Sequence, residues 1–121
     1  MLCYMSSEED YIMYILVNND LGMGKGKIGA QIGHAVEMIT NAVHKMNDHK
    51  YLEIYHKYLY SGSKKIVLKG SQKDLELFIN DKDVVNVIDA GKTQIPSGSL
   101  TVIAFLPSNK NAERLKNFKL Q

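Results

Sequence analysis

Two short segments far apart in the chain carry residue types that a packed core does not need: GMGKGKIGAQIGHA at Gly22 to Ala35 and DAGKTQIPSGSLTV at Asp89 to Val102. Each combines flexible glycine backbone with ammonium groups, amide or hydroxyl donors and a titratable side chain. Such a mixture suits a site that positions phosphate or ester oxygens and activates a water. In the first segment the backbone at Gly24 and Gly26, with Lys25 and Lys27, opens a predicted helix whose N-terminus favours anions. A solvated turn with ordinary surface lysines has the same composition. The glycines Gly24, Gly26 and Gly29 satisfy G-x-G-x-x-G, but residues 18–23 separate them from the preceding strand and the next strand begins only near Lys65. That spacing departs from the dinucleotide fingerprint. A Walker loop is excluded as well, because Leu21 stands where a glycine is required and Ile28, not Ser or Thr, follows Lys27.

The elements that must position these segments follow from hydrophobic patterning. Tyr11 to Val17 (YIMYILV) reads as a strand buried on both faces, ended by Asn18, Asn19, Asp20 and Gly22. Ile28, Ile32, Ala35, Ile39, Val43 and Met46 recur at the helical period, giving a long amphipathic helix. At about 100° per residue, Lys27, Gln31, His34, Met38 and Asn41 share one stripe beside that apolar face. His34, one turn after Gln31, is placed to act as a base or a donor to substrate, or else to sit as a satisfied, half-buried histidine. His44, His49 and His56 lack metal-ligand spacing and read as surface residues.

Tyr51 to Tyr60 carries a second helical pattern, Lys65 to Lys69 a second strand, and Ser71 caps a helix over Gln72 to Asn80. Val84 to Ile88 is a third strand ending at Asp89, and Leu100 to Leu106 a fourth, followed by a short helix near Ala112 to Lys116. Alternating strands and helices predict a three-layer α/β/α domain whose early strands are parallel. Asp89 then stands at the carboxyl end of a strand, where open α/β sheets hold ligands. Ala90 and Gly91 allow a tight turn, while Lys92, Thr93 and Gln94 offer a cation and polar groups. Thr101 is close enough to return its hydroxyl to the same region. A hairpin-like connection whose Asp89 accepts turn hydrogen bonds fits the same residues.

With 121 residues, 45% of them hydrophobic, the chain is expected to form a single domain over 11–121 behind a flexible stretch of residues 1–10. Fifteen basic and thirteen acidic side chains leave a net charge of only +2, so any nucleic-acid footprint must be local. Arg114 is the sole arginine, which favours point-charge contact with phosphates over bidentate reading of bases. Cys3 is the only cysteine, so an internal disulfide and a cysteine-based zinc site are both excluded. A reducing cytoplasm fits, and neither a signal peptide nor a membrane-spanning run is expected.

Taken together, the motifs resemble those of the type 2 peptidyl-tRNA hydrolases of archaea and eukaryotes, whose chains carry a strand, MGKGKxAAQxxHA, a K-hydrophobic-K strand, DAGRTQIxxGS and a closing LKL. Here these stand as MGKGKIGAQIGHA at Met23 to Ala35, KIVLK at Lys65 to Lys69, DAGKTQIPSGS at Asp89 to Ser99 and FKL at Phe118 to Leu120. The resemblance covers nearly everything from Tyr11 to Leu120. It implies a mixed four-stranded sheet between helices, hydrolysis of the ester joining peptide to tRNA, no metal or nucleotide cofactor, and often a homodimer. Its catalytic cluster maps onto Lys25, His34, Asp89, Thr93 and Thr101. Gly24, Gly26, Lys27, Gln31, Lys92, Gln94 and Ser99 are the implied substrate-binding positions. Two departures stand out: Lys92 replaces the family's arginine, and Tyr55 and Tyr58 occupy a region where many relatives have a tryptophan. A catalytically idle relative that binds RNA or a protein partner through the same basic cleft is the alternative, and the intact Lys25, Asp89, Thr93 and Thr101 argue against it.

Overall fold

The computed structural model describes residues 10–90, 95–96 and 98–121; the N-terminal stretch 1–9, with Cys3, lies outside the described residues. In chain order the elements are β1 (Met13–Asn18), α1 (Lys25–Met46), α2 (His49–Tyr60), β2 (Lys65–Gly70), α3 (Gln72–Glu76), β3 (Val84–Ile88), β4 (Leu100–Phe105), α4 (Ala112–Leu115) and β5 (Lys119–Leu120). They form one sheet in the order β3-β4-β1-β2-β5, with β1 and β2 parallel and every other pair antiparallel. The mixed α/β sheet expected from the sequence is present with one strand more. Lys119 and Leu120 pair with Lys69 and Leu68, and two residues with exposed side chains carry no alternation from which a strand could be read.

All six residues of β1 are buried, as the YIMYILV run requires of a central strand. Alternate side chains leave opposite faces. Met13, Ile15 and Val17 pack with Ala35, Ile39 and Val43 of α1 and with Tyr55 and Tyr58 of α2. Tyr14 and Leu16 pack with Ile103 and Phe105 of β4, Leu75 of α3 and Leu115 of α4. Helices therefore cover both faces. Tyr55 and Tyr58 bury their rings and satisfy their hydroxyls at Thr40 Oγ1, 2.7 Å away, and at the Ser63 carbonyl, 3.2 Å away. Phe105 is buried, with its ring centroid 5.2 Å from that of Phe78. Phe105→Ala is expected to lower stability by about 3–5 kcal/mol, measured by chemical denaturation.

Helix α3 is shorter than its pattern suggests. Ser71 and Asp74 form a capping box, but the amides of Leu77 and Phe78 bond back three residues, to Asp74 and Leu75, and the chain tightens into turns. Gly70 is required by close approach: a Cβ there would lie 3.1 Å from Asp74 Cβ and 3.2 Å from Leu16 Cδ1. At the opposite end of the sheet the Tyr51 hydroxyl donates to Asp83 Oδ1 at 2.8 Å, and this bond is the main reason the phenol pKa is raised. Among the described residues no helix is long and apolar enough to cross a membrane.

Candidate active site

Helix α1 begins with Gly24 as its N-cap and lies across β3 and β4. Its first turns therefore meet the carboxyl end of β3. There the Asp89 amide donates to the Ser99 carbonyl and the Gly98 amide to the Asp89 carbonyl, each at 2.9 Å, so the strand end is tied to the start of β4. Lys27 Nζ reaches Asp89 Oδ1 at 2.5 Å, and the two side chains are 9% and 5% exposed. Two opposite charges held this far from water attract strongly, and removal of either costs the other that attraction.

One turn along α1, Gln31 is buried at a position the apolar stripe would otherwise fill. Its carboxamide lies 2.7 Å from Thr101 Oγ1, which also lies 3.1 Å from the Val87 carbonyl. A hydroxyl has a single proton. The Thr101 hydroxyl donates to Gln31 Oε1, the nearer acceptor, and its proton is shared with the Val87 carbonyl. Thr101 is aimed there by a bulge: Val87 opposes Val102 and Ile88 opposes Leu100, leaving Thr101 as the extra residue on β4. The start of β4 is anchored from the other side by Asn18, a buried residue that donates to Gln72 Oε1 at 2.6 Å and to the Leu100 carbonyl at 2.9 Å.

Beyond the ion pair an open cleft of about 960 Å³ runs between the flank of α1 and strand β3. Lys27, Gln31, His34, Met38 and Asn41 all line it, the stripe that helical geometry predicts. The implied site residues are not all brought there. Lys25 is exposed at the first position of α1 and is absent from the cleft lining, so the loop lysine on Asp89 is Lys27. Gly24 and Gly26 are exposed beside it. Thr101 hydrogen-bonds Gln31 and Val87, and the Ser99 hydroxyl turns back to the Pro96 carbonyl at 2.7 Å. Lys92, Thr93 and Gln94 lie outside the described residues.

Five lining residues escaped the sequence reading of the site: Ala30, Glu37, Asn86, Val87 and Ile88. Glu37 follows His34 by three positions on the same helix flank, a readable signal. Asn86, the lone polar residue of VVNVI, donates to the Ile79 carbonyl at 2.9 Å, while its buried Oδ1 has no hydrogen-bond partner among the described residues. Among the described residues no group of three His, Cys, Asp or Glu side chains is placed to hold a metal.

The exposed helical glycines Gly29 and Gly33 have no packing reason to be glycine, because a Cβ at either would meet nothing within 4 Å. Gly29→Ala and Gly33→Ala are each expected to stabilise the fold by about 0.5–1 kcal/mol, read from the denaturation midpoint.

The model of the peptidyl-tRNA hydrolase PTH2 family matches residues 11–120. The peptidyl-tRNA hydrolases of Saccharolobus islandicus and Saccharolobus solfataricus are each 33% identical over 106 residues, covering 82% of this chain and 88% of theirs. The mitochondrial peptidyl-tRNA hydrolase 2 of Bos taurus is 36% identical over 104 residues, 81% of this chain and 56% of its own. The matched region holds the whole sheet and every residue of the cleft, and on that ground the chain belongs to the PTH2 family of peptidyl-tRNA hydrolases.

Proposed function

We propose that this protein hydrolyses the ester joining the peptide of peptidyl-tRNA to the 3′ ribose of its tRNA, recycling tRNA from aborted translation. The observation that carries the reading is the nearly dry Lys27–Asp89 pair at the head of an open cleft, in a chain of this family. A water held by Asp89 attacks the ester carbonyl carbon. The carbonyl oxygen gains negative charge, which the Lys27 ammonium stabilises. The bond to the ribose 3′ oxygen then breaks, and that oxygen takes up the proton that Asp89 accepted from the water. An ammonium beside Asp89 weakens it as a base, yet an aminoacyl ester is already activated, so positioning with modest base assistance suffices.

Gln31 and Thr101 act as positioning residues: their hydrogen bond fixes the α1 turn between Lys27 and His34 against the β4 bulge. His34 and the glycine-lysine loop are assigned to the terminal nucleotides and phosphates. Thr93 keeps the catalytic role, and Lys92 and Gln94 the substrate-binding roles, implied by the resemblance, with Lys92 giving a point charge in place of a guanidinium fork. The reading also includes cytoplasmic action and a homodimer, the latter checked by light scattering.

The test is release of N-acetyl-aminoacyl groups from tRNA by the purified protein in the presence of EDTA. Steady deacylation supports the reading, and an intact ester at high enzyme concentration rejects it. Thr101→Val, which keeps the side-chain shape and removes the hydroxyl, is expected to cost about 1–3 kcal/mol by taking the donor from Gln31 Oε1. A denaturation curve identical to wild type would contradict the role given to that bond.

A further inference from the structure

Strand β3 is the edge of the sheet, and its register decides which of its main-chain groups are free. The Leu106 amide donates to the Asp83 carbonyl, and the Asp89 amide to the Ser99 carbonyl, each at 2.9 Å. In an antiparallel ladder, main-chain groups turn toward the partner strand at every second residue. The continuous register Val84↔Phe105, Val85↔Ala104, Asn86↔Ile103, Val87↔Val102 therefore turns the groups of Val85 and Val87 toward β4. Those of Val84, Asn86 and Ile88 turn away from the sheet. Asn86 and Ile88 both line the cleft, and Ile88 is 53% exposed. The cleft thus presents two N–H and two C=O groups, spaced by about 7 Å along the strand, running up to the ion pair.

Resting on the proposed esterase reading, we propose that the peptide of the substrate adds to the free edge of β3 as a further strand. Recognition through main-chain hydrogen bonds is independent of peptide sequence, which is what an enzyme acting on arbitrary interrupted peptides requires. With the ester at Asp89, the peptide runs back past Ile88 toward Asn86, parallel to β3. The charge of the cleft favours a peptide over an RNA strand here. Among the described residues, the lining beyond His34 holds one carboxylate, Glu37, and no Lys or Arg, so phosphates there would gain no cation and meet an acid. Met38 and Ile88, both partly exposed, supply apolar surface for side chains of either size.

The test uses tripeptidyl-tRNAs whose peptide amides are N-methylated one at a time, beside side-chain variants of the same peptide. Blocking the amide that meets β3 is expected to lower kcat/KM by about tenfold, the size of one lost hydrogen bond with its partner left unpaired. Side-chain changes are expected to alter it by less than about threefold. On the protein side, Asn86→Pro removes an outward N–H at an edge position without touching the β4 ladder, and Asn86→Ala keeps that N–H. The Pro variant, which deletes a donor to a peptide carbonyl, is expected to lower kcat/KM about tenfold below that of Asn86→Ala. Equal rates for all N-methylated substrates would overturn the proposal while leaving the esterase intact, whereas no hydrolysis of any tripeptidyl-tRNA would reject both. Conversion of a dimer to a monomer by Asn86→Pro, with kcat/KM on tripeptidyl-tRNA equal to that of Asn86→Ala, would assign the edge to a second copy of this chain and overturn the proposal.

Discussion

Asp89→Asn is expected to lower kcat on N-acetyl-aminoacyl-tRNA by about a hundredfold or more, the usual size of a lost base. The amide keeps the volume of the carboxylate but cannot accept a proton from the attacking water. The Asp89 main chain is held by the Ser99 carbonyl and the Gly98 amide, so this tie to the start of β4 is kept in the variant. Binding of deacylated tRNA is therefore expected to stay within about threefold of wild type, since phosphate contacts dominate such affinity. A variant that loses binding and turnover in parallel would place Asp89 in tRNA recognition, not in chemistry.

Lys27→Met is the second large effect. Methionine replaces the buried stem and deletes the ammonium that lies 2.5 Å from Asp89 Oδ1. Loss of one oxyanion-stabilising group costs about a hundredfold or more in kcat, and the deletion also takes a close cation from a buried carboxylate, so stability should fall as well. Lys25, implied by resemblance to be the catalytic lysine, is exposed at the helix start and outside the cleft lining. The kcat loss of Lys27→Met should thus exceed that of Lys25→Ala by at least about tenfold. Measuring both at a temperature well below the Lys27→Met melting transition separates chemistry from unfolding, and the opposite ranking would return the role to Lys25.

How much of this was legible beforehand differs by element, for physical reasons. Strand β1 was plain because a strand buried on both faces must be apolar throughout. The polar stripe of α1 was plain because helical geometry alone places Lys27, Gln31 and His34 on one flank. Its burial was less so: Ile28 and Ile32 are only half-buried, Met46 is exposed, and the polar Gln31 takes a core position. That exchange depends on Thr101, seventy positions away along the chain, a partner no local pattern announces. Which of Lys25 and Lys27 meets Asp89 was hidden in the same way. Both follow a glycine, and only the start of α1 at Lys25 sends the second lysine inward. The bulge that aims Thr101 and the free edge of β3 are properties of pairing, and pairing is not written in either strand by itself.

The most direct test of the central claim is single-turnover cleavage of a peptidyl-tRNA bound to excess enzyme in EDTA, for the wild type and for Asp89→Asn. The account predicts rapid ester cleavage by the wild type and a bound but intact ester with the variant. A wild-type protein that binds the tRNA and leaves the ester whole, or a variant that cleaves at the wild-type rate, would contradict it.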